Sequence, residues 1–188
     1  MGLRIFVTLG TDHHPFDRLV GWVDSWAQAH PQHEVLVQHG QTSPPRTAGA
    51  QAFFSHPELL DAMRSADLVV CQGGPGSIVD SLAAGRRPVV VPRLARLGEV
   101  VDDHQVAFCR HMEVAGRALL AMDRTTLHDH LGGAVEDPSA YLYAPAGEDP
   151  AKRTARTMGH ILDELVEHRR SHGRARRRVR DRLSLRTS

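Results

Sequence analysis

A glycine-rich turn, residues 73–77, carries groups that suit phosphate binding. It lies between the apolar run ADLVVC and the helix-like run IVDSLAAG. Glycine is costly in ordered structure, so Gly73, Gly74 and Gly76 indicate a sharp bend or a close approach of something to the backbone. Backbone N–H groups there, at the positive end of a helix dipole, favour a phosphate. Ser77 adds a hydroxyl that can donate or cap, and Asp80 adds a carboxylate that can accept hydrogen bonds from ribose hydroxyls.

Two common phosphate motifs do not describe this turn. The dinucleotide pattern G-x-G-x-x-G fails after Gly74 and Gly76, because its last position is Val79. A P-loop needs Gly-Lys-Ser or Gly-Lys-Thr, and neither triplet occurs in the chain. Neither HExxH nor GxSxG is present, which argues against a zinc protease and a serine hydrolase. On its own, the turn also fits a tight connection between a strand and a helix.

Two pairs of adjacent polar residues are weaker candidates for chemistry. His13 and His14 follow an apolar run, where imidazoles can donate to a phosphate or act as a general base. The alternative for them is a solvent-exposed pair at the start of a helix. Asp102 and Asp103 point in different directions at a helix start, which favours capping over paired acid catalysis. We expect no bound metal and no other cofactor.

The elements that must position these residues alternate along the chain. The pattern predicts strands over residues 3–9, 33–40, 51–54, 67–72, 88–92 and 117–122. It predicts helices over residues 16–30, 57–66, 77–85, 102–116 and 149–170. Continuous Val, Leu and Ile runs separated by helices indicate an α/β fold with a doubly wound, mostly parallel, Rossmann-like sheet. Ligands of such sheets bind outside the carboxyl ends of the strands, where the glycine-rich turn falls.

Length and charge indicate one domain followed by a tail. The 188 residues suit a single core, predicted over residues 1–168 and including a long C-terminal helix. Residues 169–188 hold nine arginines and one aspartate, a net charge of +8 that leaves −7 for the rest of a chain carrying +1. This Arg-rich tail is predicted to be flexible, because few of its residues are apolar. Two cysteines and no run of membrane length favour a cytoplasmic protein.

Four blocks in order resemble the C-terminal, donor-binding half of family 28 glycosyltransferases, which have the GT-B fold. The blocks are VTLGTDHHPFDRLV, VLVQHG, ADLVVCQGGPGSIVDSLAAGRRPVVVP and VDDHQVAF, and the resemblance covers roughly residues 3 to 120. It is greatest to the small single-domain members that work with a separate membrane-bound partner. These include bacterial exopolysaccharide subunits and the small subunit of the eukaryotic enzyme that adds the second N-acetylglucosamine to a dolichol-linked sugar.

The resemblance assigns nucleotide-sugar contacts to the first two loops. It implies that Gly10 and Thr11, after the first strand, lie near the diphosphate. It implies that the loop after the second strand approaches the sugar phosphate through Gln38, His39 and Gly40.

Further roles follow from the later blocks. Phe53 or Phe54 matches the segment whose backbone holds the uracil, and the glycine-rich turn matches the pyrophosphate site. Asp80 matches a ribose-binding carboxylate, although many relatives have the longer glutamate there. His104 and Gln105 match a segment that touches the sugar hydroxyls.

The resemblance implies an inverting glycosyltransferase subunit. Such a subunit moves a sugar from a UDP-sugar to a polyprenyl-diphosphate-linked acceptor in cell-surface polysaccharide synthesis. A membrane-anchored partner would bind the acceptor, so the subunit would lie at the cytoplasmic face of the membrane and be active only with that partner. The Arg-rich tail would suit an anionic membrane surface. Two alternatives remain open at this point: a non-catalytic nucleotide-sugar-binding regulatory subunit, and nucleic-acid binding through the tail, which the acidic body disfavours.

Overall fold

The computed structural model describes residues 2–144, which form a six-stranded parallel sheet. The strands lie in the order β3-β2-β1-β4-β5-β6, and every neighbouring pair is parallel. Their bounds are β1 Arg4–Thr8, β2 Glu34–Gln38, β3 Gly49–Gln51, β4 Leu68–Gln72, β5 Val89–Val91 and β6 Leu119–Leu120. The chain runs outward from β1 in one direction and then restarts on the other side with β4. The reversal point between β1 and β4 is where ligands of such sheets bind.

Side chains of the central strands alternate between two apolar clusters, one on each face of the sheet. Ile5 and Val7 of β1 belong to the cluster that also holds the buried Trp26 of the first helix. Phe6, between them, belongs to the opposite cluster with Met63. This alternation is what a strand buried on both faces produces, and it confirms the predicted doubly wound α/β architecture.

Within residues 2–144, five α-helices connect the strands or follow them. Their bounds are α1 Asp17–Ala29, α2 His56–Ser65, α3 Pro75–Ala83, α4 His104–Val114 and α5 Arg124–Glu136. The predicted start of the third helix at residue 77 was wrong by two residues, because Gly74 is the N-cap and Pro75 is the first helical residue. Proline is accommodated there because the N–H it lacks would have no helical partner.

Helix α5 was not predicted, because the sequence after residue 122 was interpreted as a loop. Its polar stretch and two adjacent glycines weaken the helical pattern. A signal was nevertheless present: Leu127, Leu131 and Ala134 lie at helical spacing and are buried. Asp123 caps the helix by accepting a hydrogen bond from the backbone N–H of Thr126 at 2.8 Å.

The predicted C-terminal helix over residues 149–170 and the Arg-rich tail lie outside the described residues. The predicted domain boundary at residue 168 lies outside them too, so it stays a prediction. Within residues 2–144, no helix combines the length and the hydropathy that crossing a bilayer requires.

Candidate functional site

A pocket of about 290 Å³ opens at the carboxyl ends of β1, β2 and β4, at the reversal point of the sheet. Its wall combines the ends of these three strands with the loops after β1, β3 and β4, the first turn of α2 and the first two turns of α3. The lining residues are Thr8, Gly10, Thr11, Gln38, Phe53, Phe54, Leu59, Gln72, Gly74, Pro75, Gly76, Ser77 and Asp80. Nine of the fourteen nucleotide-sugar-binding residues predicted from the sequence are in this set. The fold therefore brings together residues up to 72 positions apart in the chain.

The glycine-rich turn presents the start of α3 to this pocket. The first N–H groups of a helix have no carbonyl partner within the helix, and Pro75 has no N–H to offer. The first-turn donors are therefore the N–H groups of Gly76 and Ser77, both in the pocket wall. Donors of this kind at the positive end of a helix dipole are suited to an anion such as a phosphate.

Gln72, at the end of β4, fixes the shape of this turn. Its side-chain Oε1 accepts a hydrogen bond from the backbone N–H of Gly74, and its Nε2 donates to Ser77 Oγ at 3.1 Å. The Gln72 amide also lies against Gly10, which has a φ of +73° and no room for a Cβ beside Gln72 Nε2. Sequence reasoning missed Gln72, because a glutamine at the end of an apolar run carries no distinctive signal.

Gln38 holds the loops after β1 and β3 in place from beneath the pocket. Its Oε1 accepts from the Thr8 hydroxyl at 2.5 Å, while its Nε2 donates to the carbonyls of Gly10 at 2.9 Å and Ala52 at 3.0 Å. The side chain is almost fully buried, and both of its amide hydrogens are used by the protein. We therefore assign Gln38 to organising the pocket floor. Contact with the sugar phosphate stays a prediction.

Asp80 lies on α3, one turn beyond the glycine-rich turn, with 24% of its side chain exposed. Its Oδ1 lies 3.2 Å from Nε2 of His56, the first residue of α2. Across the pocket, Phe53 is about half exposed. Phe54 packs edge-on against Phe6 with ring centroids 5.7 Å apart. Sequence reasoning did not single out His56, since only the fold brings it to a carboxylate 24 positions away.

Five predicted site residues do not line the pocket. The His39 imidazole donates from Nδ1 to the Thr42 carbonyl at 2.7 Å, and the Gly40 N–H donates to the Ala52 carbonyl. A Cβ on Gly73 would lie 2.6 Å from Cys109 Sγ, so this glycine is needed for packing against α4.

His104 and Gln105, which were predicted to contact the sugar, are the other two residues that do not line the pocket. The His104 imidazole lies within hydrogen-bonding distance of the Asp102 carboxylate, and Gln105 Oε1 accepts from the Arg93 N–H at 3.1 Å. Their contact with a sugar stays a prediction. The expected capping falls to one of the two adjacent aspartates. Asp102 accepts a hydrogen bond from the N–H of His104, the first residue of α4, at 3.1 Å, whereas Asp103 at the N-cap accepts from the N–H of Ala95.

The weaker catalytic candidates lie in the loop after β1. His14 Nδ1 is 2.7 Å from Asp12 Oδ1, and His13 Nδ1 is 3.7 Å from the same oxygen. Although partial burial opposes it, hydrogen bonds from the backbone and imidazole of His14 lower the pKa of Asp12 below its usual value. Within residues 2–144, these three form the one group whose ligand atoms lie within 4.8 Å of one another and could hold a metal. The catalytic role of His13 and His14 and the expected absence of a metal stay predictions.

Arg93, in the segment after β5, anchors the same loop from the protein interior. Its side chain is almost fully buried, and it donates hydrogen bonds to the carbonyls of Leu9 at 3.1 Å, His14 at 2.7 Å and Glu99 at 3.1 Å. Burial lowers the pKa of Arg93, while the nearby carboxylates of Asp12 and Glu99 oppose that shift. Because arginine remains protonated at neutral pH, a positive charge stands directly behind the loop.

Comparison with known proteins identifies the family. Residues 4–156 match the glycosyltransferase family 28 C-terminal domain. Two similar proteins are named UDP-N-acetylglucosamine–N-acetylmuramyl-(pentapeptide) pyrophosphoryl-undecaprenol N-acetylglucosamine transferase. The one from Rhodospirillum rubrum is 32% identical over 125 residues, covering 61% of this chain and 31% of its own. The one from Bordetella pertussis is 29% identical over 140 residues, covering 72% of this chain and 37% of its own.

Solved glycosyltransferase structures share the fold and confirm that it corresponds to half of a GT-B enzyme. The kitacinnamycin glycosyltransferase aligns with a TM-score of 0.55 and 22% identity, over 88% of this chain and 40% of its own. Acinetobacter baumannii MurG aligns with a TM-score of 0.52 and 18% identity, over 75% of this chain and 43% of its own. The chain thus spans about a third of its named sequence relatives and less than half of these two structures. Because residues 4–156 match this family, the chain belongs to glycosyltransferase family 28 and contains its C-terminal domain.

Proposed function

We propose that this protein is the donor-binding subunit of a glycosyltransferase that moves a sugar from a UDP-sugar to a polyprenyl-diphosphate-linked acceptor. The observation that carries the proposal is the pocket at the reversal point of the sheet, whose wall includes both the glycine-rich turn and Asp80. A helix N-terminus suits a diphosphate, and a carboxylate one turn further on suits the hydroxyls of a ribose. Both chemical groups occur in a UDP-sugar.

The pocket supplies electrostatic stabilisation of the leaving group. Displacement at the anomeric carbon, with inversion, leaves the negative charge on UDP. The N–H groups of Gly76 and Ser77, with the dipole of α3, would stabilise that charge as it develops. The proposed mechanism therefore calls on no metal. It leaves the general base for the acceptor hydroxyl to the partner, with His13 and His14 as weaker candidates within this chain.

The names of the relatives support the class of donor and acceptor. The proteins from Rhodospirillum rubrum and Bordetella pertussis are named for transfer from UDP-N-acetylglucosamine to a pyrophosphoryl-undecaprenol acceptor. We propose that a membrane-anchored partner binds the acceptor, because an acceptor linked to undecaprenol, as in the names of these relatives, belongs to a membrane. Use in exopolysaccharide synthesis, a position at the cytoplasmic face of the membrane and contact of the Arg-rich tail with anionic lipid belong to the same proposal.

Calorimetry with UDP, UDP-sugars and a short DNA duplex tests the donor site. We expect UDP and at least one UDP-sugar to bind and the duplex not to bind at physiological salt. Binding of the duplex alone would replace the proposal with nucleic-acid recognition, whose affinity would fall steeply with salt. Transfer assayed with the co-expressed partner then separates a catalytic subunit from a regulatory one.

Replacement of Asp80 by alanine is expected to weaken UDP binding about tenfold. A hydrogen bond to a charged group contributes roughly 1.5–3 kcal/mol, and about 1.4 kcal/mol corresponds to a factor of ten in affinity. Calorimetry with UDP and 2′,3′-dideoxy-UDP measures the effect. The variant should bind both ligands with similar affinity, whereas the wild type should prefer UDP. A variant that keeps the full preference for UDP over the dideoxy ligand would show that Asp80 does not bind the ribose hydroxyls.

A further inference from the structure

Two helix N-termini meet at the rim of the pocket, and each contributes one polar side chain to a contact between them. His56 is the first residue of α2, and Asp80 lies in the second turn of α3. The imidazole Nε2 is 3.2 Å from Asp80 Oδ1. The His56 side chain is 65% exposed and Asp80 is 24% exposed, so the pair lies between solvent and the pocket. The imidazole is placed to hold the carboxylate from its solvent side.

The position of His56 is fixed by the residues around it. Ser55 precedes it as the N-cap of α2 and donates from its backbone N–H at 2.8 Å and from its hydroxyl at 2.6 Å to Glu58 Oε2. This capping box sets where the helix begins and therefore where the imidazole projects. Phe54, one residue earlier, is held by its edge-on contact with Phe6 in the core.

The contact with His56 restrains the Asp80 carboxylate. A carboxylate oxygen that accepts from an imidazole N–H has its orientation fixed, and the other oxygen stays available as an acceptor. Here Oδ1 contacts His56, which leaves Oδ2 of Asp80 for a hydroxyl of a bound ligand. A side chain that is held in its binding geometry loses less rotamer entropy when the ligand arrives.

We propose that His56 is a positioning residue that holds Asp80 in the orientation that reads the ribose hydroxyls of the donor. This rests on the proposed function, because it presupposes that a UDP-sugar occupies the pocket. His56 acts through Asp80 and makes no contact with the ligand itself. It sets the preference of the site for a ribonucleotide over a deoxyribonucleotide.

The test is a double-mutant cycle on ribose recognition, measured by calorimetry with UDP and 2′,3′-dideoxy-UDP. His56→Ala is expected to reduce the preference for UDP about fivefold while leaving affinity for the dideoxy ligand within about twofold of wild type. His56→Gln, whose Nε2 can donate in place of the imidazole, should restore most of the preference. The double variant with Asp80→Ala should lose no more than Asp80→Ala does alone.

A matched control lies on the same helix. Asp61→Ala removes an exposed side chain of α2 that pairs with Arg64, and it should change neither affinity. Equal losses for both ligands in His56→Ala would indicate a structural role and overturn the proposal. A double variant that loses more than Asp80→Ala would also overturn it, because His56 would then contact the ligand directly.

The inference and the proposed function can fail separately. If wild-type protein binds no UDP, the donor site itself is wrong and the role of His56 is lost with it. Suppose instead that the wild type prefers UDP over the dideoxy ligand, that Asp80→Ala removes this preference and that His56→Ala keeps it. Only the role of His56 is then wrong.

Discussion

Replacement of Gly76 by valine is expected to reduce UDP affinity at least about a hundredfold. Gly76 lies in the first turn of α3 and in the wall of the pocket. A branched side chain there would fill the space in front of the Gly76 and Ser77 N–H groups and keep a diphosphate away from both. Each hydrogen bond to a charged group contributes roughly 1.5–3 kcal/mol, so losing two gives at least about 3 kcal/mol, or two orders of magnitude.

The fold should tolerate this change, which makes the test specific for binding. A Cβ added at Gly76 meets no atom within 4 Å, and valine is no worse than glycine in a helix. Gly21→Val is the matched control, because Gly21 is a helical glycine of α1 with equally open surroundings and no place in the pocket wall. Calorimetry should show wild-type affinity for that control. Wild-type affinity in a folded Gly76→Val protein would rule out the glycine-rich turn as the diphosphate site.

Features that depend on local sequence were predicted well. The runs around Val7, Val70 and Val90 are continuous, apolar and buried, as expected of strands that are covered on both faces. The glycine-rich turn was predictable for a similar reason, because several glycines between a strand and a helix have few other uses. Where the pattern was weak, prediction failed: α5 carries glycines and polar residues in its middle and was missed.

Residues whose roles depend on distant partners were not predictable. Arg93 donates to the Leu9 carbonyl, 84 positions away, and nothing in the sequence near Arg93 indicates that partner. The same holds for the pair of His56 and Asp80, which only the packing of α2 beside α3 creates. Gln72 acts locally on Gly74, but its amide resembles that of any surface glutamine until the turn has folded. These side chains shape the pocket rather than define its chemistry, and so they carry no motif.

The buried guanidinium of Arg93 leads to the largest stability effect that we expect. The carbonyl oxygens of Leu9, His14 and Glu99 accept its hydrogen bonds, with that of Pro15 at a longer 3.5 Å, and its charge lies 4.6 Å from the centre of the Phe16 ring. Arg93→Met keeps much of the volume but leaves those buried carbonyls without a donor. Because each unsatisfied buried group costs about 1–3 kcal/mol, the free energy of unfolding should fall by about 3–5 kcal/mol in denaturant titrations.

A surface arginine provides the comparison that separates burial from charge. Arg64→Met removes the same positive charge from a side chain that is 55% exposed and pairs with Asp61, so it should cost less than about 1 kcal/mol. Arg93→Lys tests geometry, because lysine keeps the charge but cannot reach several carbonyls with a rigid planar fork. We expect it to fold with reduced stability and to bind UDP more weakly, since the loop bearing Gly10 and Thr11 would lose its anchor behind the pocket. If Arg93→Met and Arg64→Met lowered stability equally, the buried guanidinium would not be what holds that loop, and the position of the pocket wall would need another cause.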